Sequence, residues 1–147
     1  MHYRAAILTK EQSVIVYYRI HPIGHVQMSK VGDINAKVIA ALGLTIAENT
    51  PVFMGQTNVQ RMINEHPNDY ARYGADIPSI IATPDYVRQN PTDNSIEYVK
   101  QYIQNGEHVK VAVRVSNTGV FYARSIYVLN ESRVRNFIAK GTLKPIR

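Results

Sequence analysis

Between residues 109 and 115 every second position is a valine: Val109, Val111, Val113 and Val115, with Lys110, Ala112 and Arg114 between them. A period of two belongs to a strand, because successive side chains of a pleated chain point to opposite faces. One apolar and one polar face imply a half-buried antiparallel sheet. Asn105-Gly106 precedes this strand and Asn117-Thr118-Gly119 follows it. Asn-Gly is a strong type I′ hairpin signal, since both turn residues need φ > 0. The β-rich runs Ser95–Ile103 and Val120–Leu129 complete an antiparallel meander.

Upstream the period changes. Residues 1–30 read as extended chain, with a strand over Val14–Ile20 and a turn at His21-Pro22-Ile23-Gly24-His25. Asp33 is the expected N-cap of a helix carrying Ile34, Val38, Ala41 and Leu42, stopped by Gly43. Pro51–Met54 is a short strand. Thr57-Asn58-Val59-Gln60 has the form of a capping box. The helix it opens aligns Val59, Met62, Ile63 and His66 on one face and ends at Pro67. A helical turn over Pro67–Tyr73 stops at Gly74, and a further helix from Asp76-Ile77-Pro78 ends at Pro84. Asn130 caps a closing helix with Val134, Phe137 and Ile138 inward, and Gly141 ends it. The order predicts an α+β fold: N-terminal helices packed on one face of an antiparallel sheet, the other face open, with a closing C-terminal helix. Residues 1–30 form an N-terminal extended segment or hairpin, and residues 31–147 the main domain.

The absence of Cys excludes a disulfide scaffold, a zinc ribbon, an iron–sulfur site and thiol catalysis. No apolar run approaches the roughly 20 residues of a membrane span, so no membrane partner is expected. The start of the chain shows no signal-peptide pattern. The net charge of +6 is unevenly placed. Residues 1–105 carry nine Lys/Arg and nine Asp/Glu, whereas residues 106–147 carry eight Lys/Arg against Glu107 and Glu131. A basic excess confined to one structural unit suits a polyanionic partner, nucleic acid first; it also suits a solvated face that keeps a small protein soluble.

Lys110 and Arg114 stand opposite the valines, so a face open to water would carry cations. Aromatic rings and guanidinium planes beside phosphate-binding cations make a single-stranded nucleic-acid platform. Arg114 offers a planar fork to two phosphate oxygens, or is simply an outward solvated residue. His66 lies at a helix C-terminus on the apolar stripe, suited to proton transfer or phosphate binding; the plainer reading is a half-buried core histidine capping its own helix. In the third strand, Phe121, Ala123, Ser125 and Tyr127 share one face and Tyr122, Arg124 and Ile126 the other. Both sets are apolar enough to be core, so parity leaves open which joins Arg114. His21 and His25 are separated by Pro22 and Gly24 and lack a third ligand nearby; His108, beside the hairpin turn, reads as exposed and idle. There is no phosphate-binding glycine loop, no G-x-S-x-G elbow and no acidic pair for two-metal catalysis. No metal or other cofactor is expected, and phosphodiester cleavage without metal favours RNA, whose 2′-OH is an internal nucleophile.

The order Val31-Gly32-Asp33-Ile34, Leu42-Gly43-Leu44, Val52-Phe53, His66-Pro67, Ile77-Pro78, Thr83-Pro84-Asp85-Tyr86-Val87, the valine strand and Phe121-Tyr122-Ala123-Arg124-Ser125 resembles phage-associated barnase–EndoU–colicin–RelE-like (BECR-like) nuclease domains over roughly residues 31–130. The resemblance implies a metal-independent RNase fold from phages, mobile elements or toxin systems. It assigns the helix-end histidine to His66 and the final-strand hydroxyl to Ser125. The family's Thr-Ala pair in that strand is replaced here by Ala123-Arg124-Ser125. Arg114 and Tyr127 complete the catalytic candidates; Lys110, Arg124 and Arg61 are the substrate-binding ones. The implied partner is RNA, tRNA included, with an inhibitor or immunity protein if the chain is a toxin. The implied location is the bacterial host cytoplasm or the phage. A non-catalytic RNA-binding or virion-associated protein of the same fold is the alternative, and a protein-docking domain using Arg133 and Arg135 a third.

Overall fold

The computed structural model describes residues 2–7, 15–21 and 24–146, with side chains described from Met28 onward. Its elements in chain order are β1 (His2–Ile7), β2 (Ile15–His21), β3 (Gly24–Ile34), α1 (Ala36–Leu42), β4 (Thr50–Gly55), α2 (Gln56–Glu65), α3 (Pro67–Tyr73), α4 (Ile77–Ala82), β5 (Tyr86–Gln89), β6 (Ile96–Tyr102), β7 (Glu107–Val115), β8 (Phe121–Val128), α5 (Glu131–Ala139) and β9 (Lys144–Pro145). The described strands form one sheet in the order β1-β2-β3-β4-β8-β7-β6-β5-β9. Every neighbouring pair is antiparallel except β4 and β8, which run parallel. The expected turn after β2 includes Pro22 and Ile23, and the expected strand includes Val14; these lie outside the described residues.

The alternation of β7 has the predicted effect. Val109, Val111 and Val113 are buried against Val38, Met62, Ile77, Ile80 and Ile81 of α1, α2 and α4. Burying such a side chain contributes about 1.5–3 kcal/mol. Val115, predicted inward, is 49% exposed, because the pattern outruns the helices that cover it. The helices dock closely: a Cβ on Gly32 would lie 2.9 Å from Ile81 Cγ2, so glycine at this bulge of β3 lets α4 approach the sheet.

Three local expectations are corrected. Asp33 is not a helix cap; β3 runs on through it, paired with Pro51, and Asn35 caps α1 by accepting from the Val38 N–H at 3.0 Å. The cap of α2 is Gly55 rather than Thr57, because β4 passes into the helix without a loop. There the Asn58 side chain accepts from the Gly55 N–H at 2.8 Å. Asn105-Gly106 is not a type I′ turn. Residues 103–105 form a 3₁₀ turn and Gly106 alone has positive φ, 64°. The longer turn places the Asn105 amide 2.9 Å from the Tyr73 hydroxyl, inside a polar cluster with Arg72 and Glu107.

A fourth correction concerns the layers. α1, α2 and α4 share a core with the valine face, but α5 packs on the opposite face, where Val134 and Leu143 meet Val99. Asn130 caps it, accepting from the N–H groups of Ser132 and Arg133. His108, expected to be exposed, is 6% exposed and its Nδ1–H donates to the Glu131 carboxylate at 2.9 Å. The second face is therefore not open along its whole length. α5 roofs the β6 side of it, and the stretch from Tyr127 to Arg114 remains beside that roof.

Candidate active site

Strand parity could not choose between the two sets of β8 because the strand changes parity. Ile126 pairs with Val111 and Ser125 with Ala112, but Ala123 pairs with Val113, leaving Arg124 as an extra residue in a bulge. Directly opposed residues share a face. Tyr127 and Ser125 therefore stand beside Lys110 and Ala112, and Tyr122 stands beside Arg114, all opposite the valine core. Ile126 and Ala123 both remain buried in that core. A bulge re-aims side chains without breaking the sheet, and here it brings Tyr122 to the face that carries Ser125 and Tyr127.

The parallel pairing of β4 with β8 covers only Phe121 and Tyr122, because β4 then turns into α2. The junction of α2 and α3 occupies the free edge beyond, where Asp69 accepts from the Val128 N–H at 3.1 Å. His66 is the hinge residue of that junction. Its N–H donates to the Met62 carbonyl and its carbonyl accepts from Tyr70, both at 2.9 Å. Pro67 starts α3 at once, so the backbone that carries the imidazole is restricted. It is half-buried and stacks on Tyr127, with centroids 5.0 Å apart and planes 25° apart. The Lys110 ammonium lies 4.4 Å from the centre of the same tyrosine ring. His66, Tyr127 and Lys110 thus touch in sequence. Ser125 sits two residue pairs further along on the same face, and its hydroxyl has no hydrogen-bond partner among the described residues.

The remaining candidates form a second group. Partial burial, and after it the guanidinium groups of Arg61 and Arg114, push Arg124 below the usual arginine range. Arg61 and Arg114 are exposed. Arg114 faces the same side as Lys110 but lies four residues, roughly 13 Å, along the strand. It acts on Asp93, which the Ser95 hydroxyl and N–H hold below the usual carboxylate range, with Arg114 lowering it further. Along β8, Tyr127 with Lys110 beside it is followed by Ser125 and then by Arg124, on which Arg61 and Arg114 act.

Lys110 is not the free cation that the sequence suggested. It donates to Glu97 at 3.3 Å, and Glu97, 3% exposed, also accepts from Asn90 at 3.1 Å and faces Arg88 at 3.7 Å. The signal for Glu97 was present: it is a lone carboxylate in the apolar run Ser95–Val99, paired with Ala112 and so diagonal to Lys110. Arg88 and Asn90 carried no such pattern. They reach the site because β5 pairs with β6. Among the described residues no three His, Asp or Glu side chains gather into a metal-binding group.

These features define an α+β domain with cations, tyrosine and serine on one sheet face beside a helix-end histidine. The family described as phage-Barnase-EndoU-ColicinE5/D-RelE like nuclease 3 matches residues 29–136, most of the chain, and the chain belongs to that family. No curated protein and no solved structure matches it.

Proposed function

We propose that this nuclease domain is a metal-independent RNA endonuclease acting from the His66–Tyr127–Ser125 face. The observation that carries the reading is the His66–Tyr127 stack at the sheet edge, on the face that Ser125 and Arg114 share. RNA supplies its own nucleophile. His66 takes the proton of the 2′-OH, whose oxygen attacks the adjacent phosphorus; a 2′,3′-cyclic phosphate forms and the 5′-oxygen leaves, taking up a proton. Tyr127 is the candidate donor of that proton, and Ser125 orients the phosphate. Arg61, Arg114 and Arg124 stabilise the charge that builds on the phosphoryl oxygens, a role for guanidinium groups close together. Proton transfer of this kind contributes about 10²–10⁴-fold.

The family ties the chain to phages. A phage-associated or toxin role in the bacterial cytoplasm, held in check by an acidic inhibitor, fits the basic C-terminal third. The test is product chemistry. Cleavage of a defined oligoribonucleotide should leave a 2′,3′-cyclic or 3′-phosphate, and a 2′-deoxy residue at the cut site should block it. Cleavage of the deoxy substrate at an equal rate contradicts the reading. Binding without products selects the non-catalytic RNA-binding alternative.

A further inference from the structure

We propose that the hollow between α5 and the sheet is a nucleotide subsite next to the cleavage centre; this rests on the RNA-cleaving reading above. The hollow has a volume of about 290 Å³, at the small end of the range for ligand pockets. Arg88, Lys110 and Arg133 line it against a single carboxylate, Glu97, so an anion is favoured. Glu97 fixes two of those cations, leaving Arg133 on α5 without an ion pair among the described residues. The Arg88 and Arg133 guanidinium groups each lie 5.7 Å from the Phe137 ring centre. A flat, partly apolar ligand carrying a phosphate matches this lining: the base lies against Phe137 and Arg133, and the phosphate meets the guanidinium groups.

Position supports the same ligand. Tyr127 lines the hollow and also stacks on His66, so a nucleotide held there places its neighbouring phosphodiester at the histidine. Phe137 and Leu143 lie beyond residue 136, where the family match ends, so the chain outside the match completes the hollow. Arg133 is exposed, and its substitution leaves the core intact.

Calorimetric titration of the full chain with the four 3′-nucleoside monophosphates, and with inorganic phosphate, tests the subsite. A nucleotide should bind at least tenfold tighter than inorganic phosphate. Arg133→Glu should weaken it roughly tenfold or more, the loss expected for a charge-assisted contact. Arg135→Glu, on the same helix but outside the hollow, should stay within about twofold. On an oligoribonucleotide, Arg133→Glu should raise KM more than it lowers kcat, as loss of uniform binding does. Equal effects of the two substitutions, phosphate binding as tightly as nucleotide, or no nucleotide binding overturn the subsite. Arg133-dependent nucleotide binding without RNA cleavage would sink the nuclease reading and keep the subsite. Cleavage with KM untouched by Arg133→Glu would do the reverse.

Discussion

At the scale of single residues, three side chains can be tested separately. His66 is fixed by backbone bonds to both flanking helices and touches Tyr127, so its removal should cost chemistry rather than folding. His66→Ala is expected to lower kcat by about 10²–10⁴-fold with the melting temperature nearly unchanged. Unaltered kcat, or a collapse of stability, contradicts that assignment. The ring and the hydroxyl of Tyr127 can be tested apart. Tyr127→Phe keeps the stack on His66 and the surface under Lys110. It should therefore leave stability in place and, if the hydroxyl moves a proton, lower kcat by about 10²–10⁴-fold. Glu97 is buried with cations on two sides. Glu97→Gln strips the charge that holds Lys110 and should cost about 3 kcal/mol, read from the denaturation midpoint. A change below about 0.5 kcal/mol would show that the pair is not anchoring the face.

At the scale of elements, the turn of β6 into β7 is stapled to α3. Arg72 and the Tyr73 hydroxyl both donate to Glu107. Those two donors, Arg72 first, hold Glu107 below the usual carboxylate range. A carboxylate lowered on folding contributes its stability above its unfolded value and loses it as pH falls through the folded one. Amide protection in α3 and the 103–107 turn should therefore be lost ahead of that at the centre of β7 as pH falls below the ordinary glutamate value of about 4.3. Glu107→Gln should abolish that acid dependence, and acid-insensitive exchange in the native chain would contradict the staple. Asn130 is a second hinge point: Asn130→Ala removes the cap of α5 and should cost about 1 kcal/mol by denaturant titration.

The elements also show what the sequence could disclose. The valine alternation and the Asn130 cap needed only local patterns, and both are seen. The parity of β8 could not be read, because the bulge at Arg124 is set by pairing with β7 rather than by β8 itself. Asp33 and Thr57 had sound capping chemistry, but the sheet extended β3 and β4 over the positions where helices were expected to begin. His108 looked idle because Glu131, its partner, is 23 residues away. His66 was visible as a helix-end histidine; its stack on Tyr127 depended on β4 leaving the edge of β8 free.

At the scale of the whole molecule, one sheet separates two jobs. The α1–α4 layer and the valine face make the main core, while the reverse face carries the polar and cationic groups beside α5. The backbone of β1 and β2 extends the sheet beyond β3. Charge on the reverse face should dominate affinity for a polyanion. If three or four phosphates are neutralised, log K for single-stranded RNA should fall with log salt at a slope of about −2 to −3. Arg114→Ala should reduce that slope by about 0.7, and a salt-independent affinity contradicts the platform. The most direct measurement is cleavage of total RNA or tRNA by the purified full chain in EDTA, alongside His66→Ala. The expected result is discrete RNA products from the native chain and at least a hundredfold slower cleavage by the variant. Intact RNA in EDTA, or equal cleavage by both proteins, would contradict metal-free catalysis from the histidine at the sheet edge.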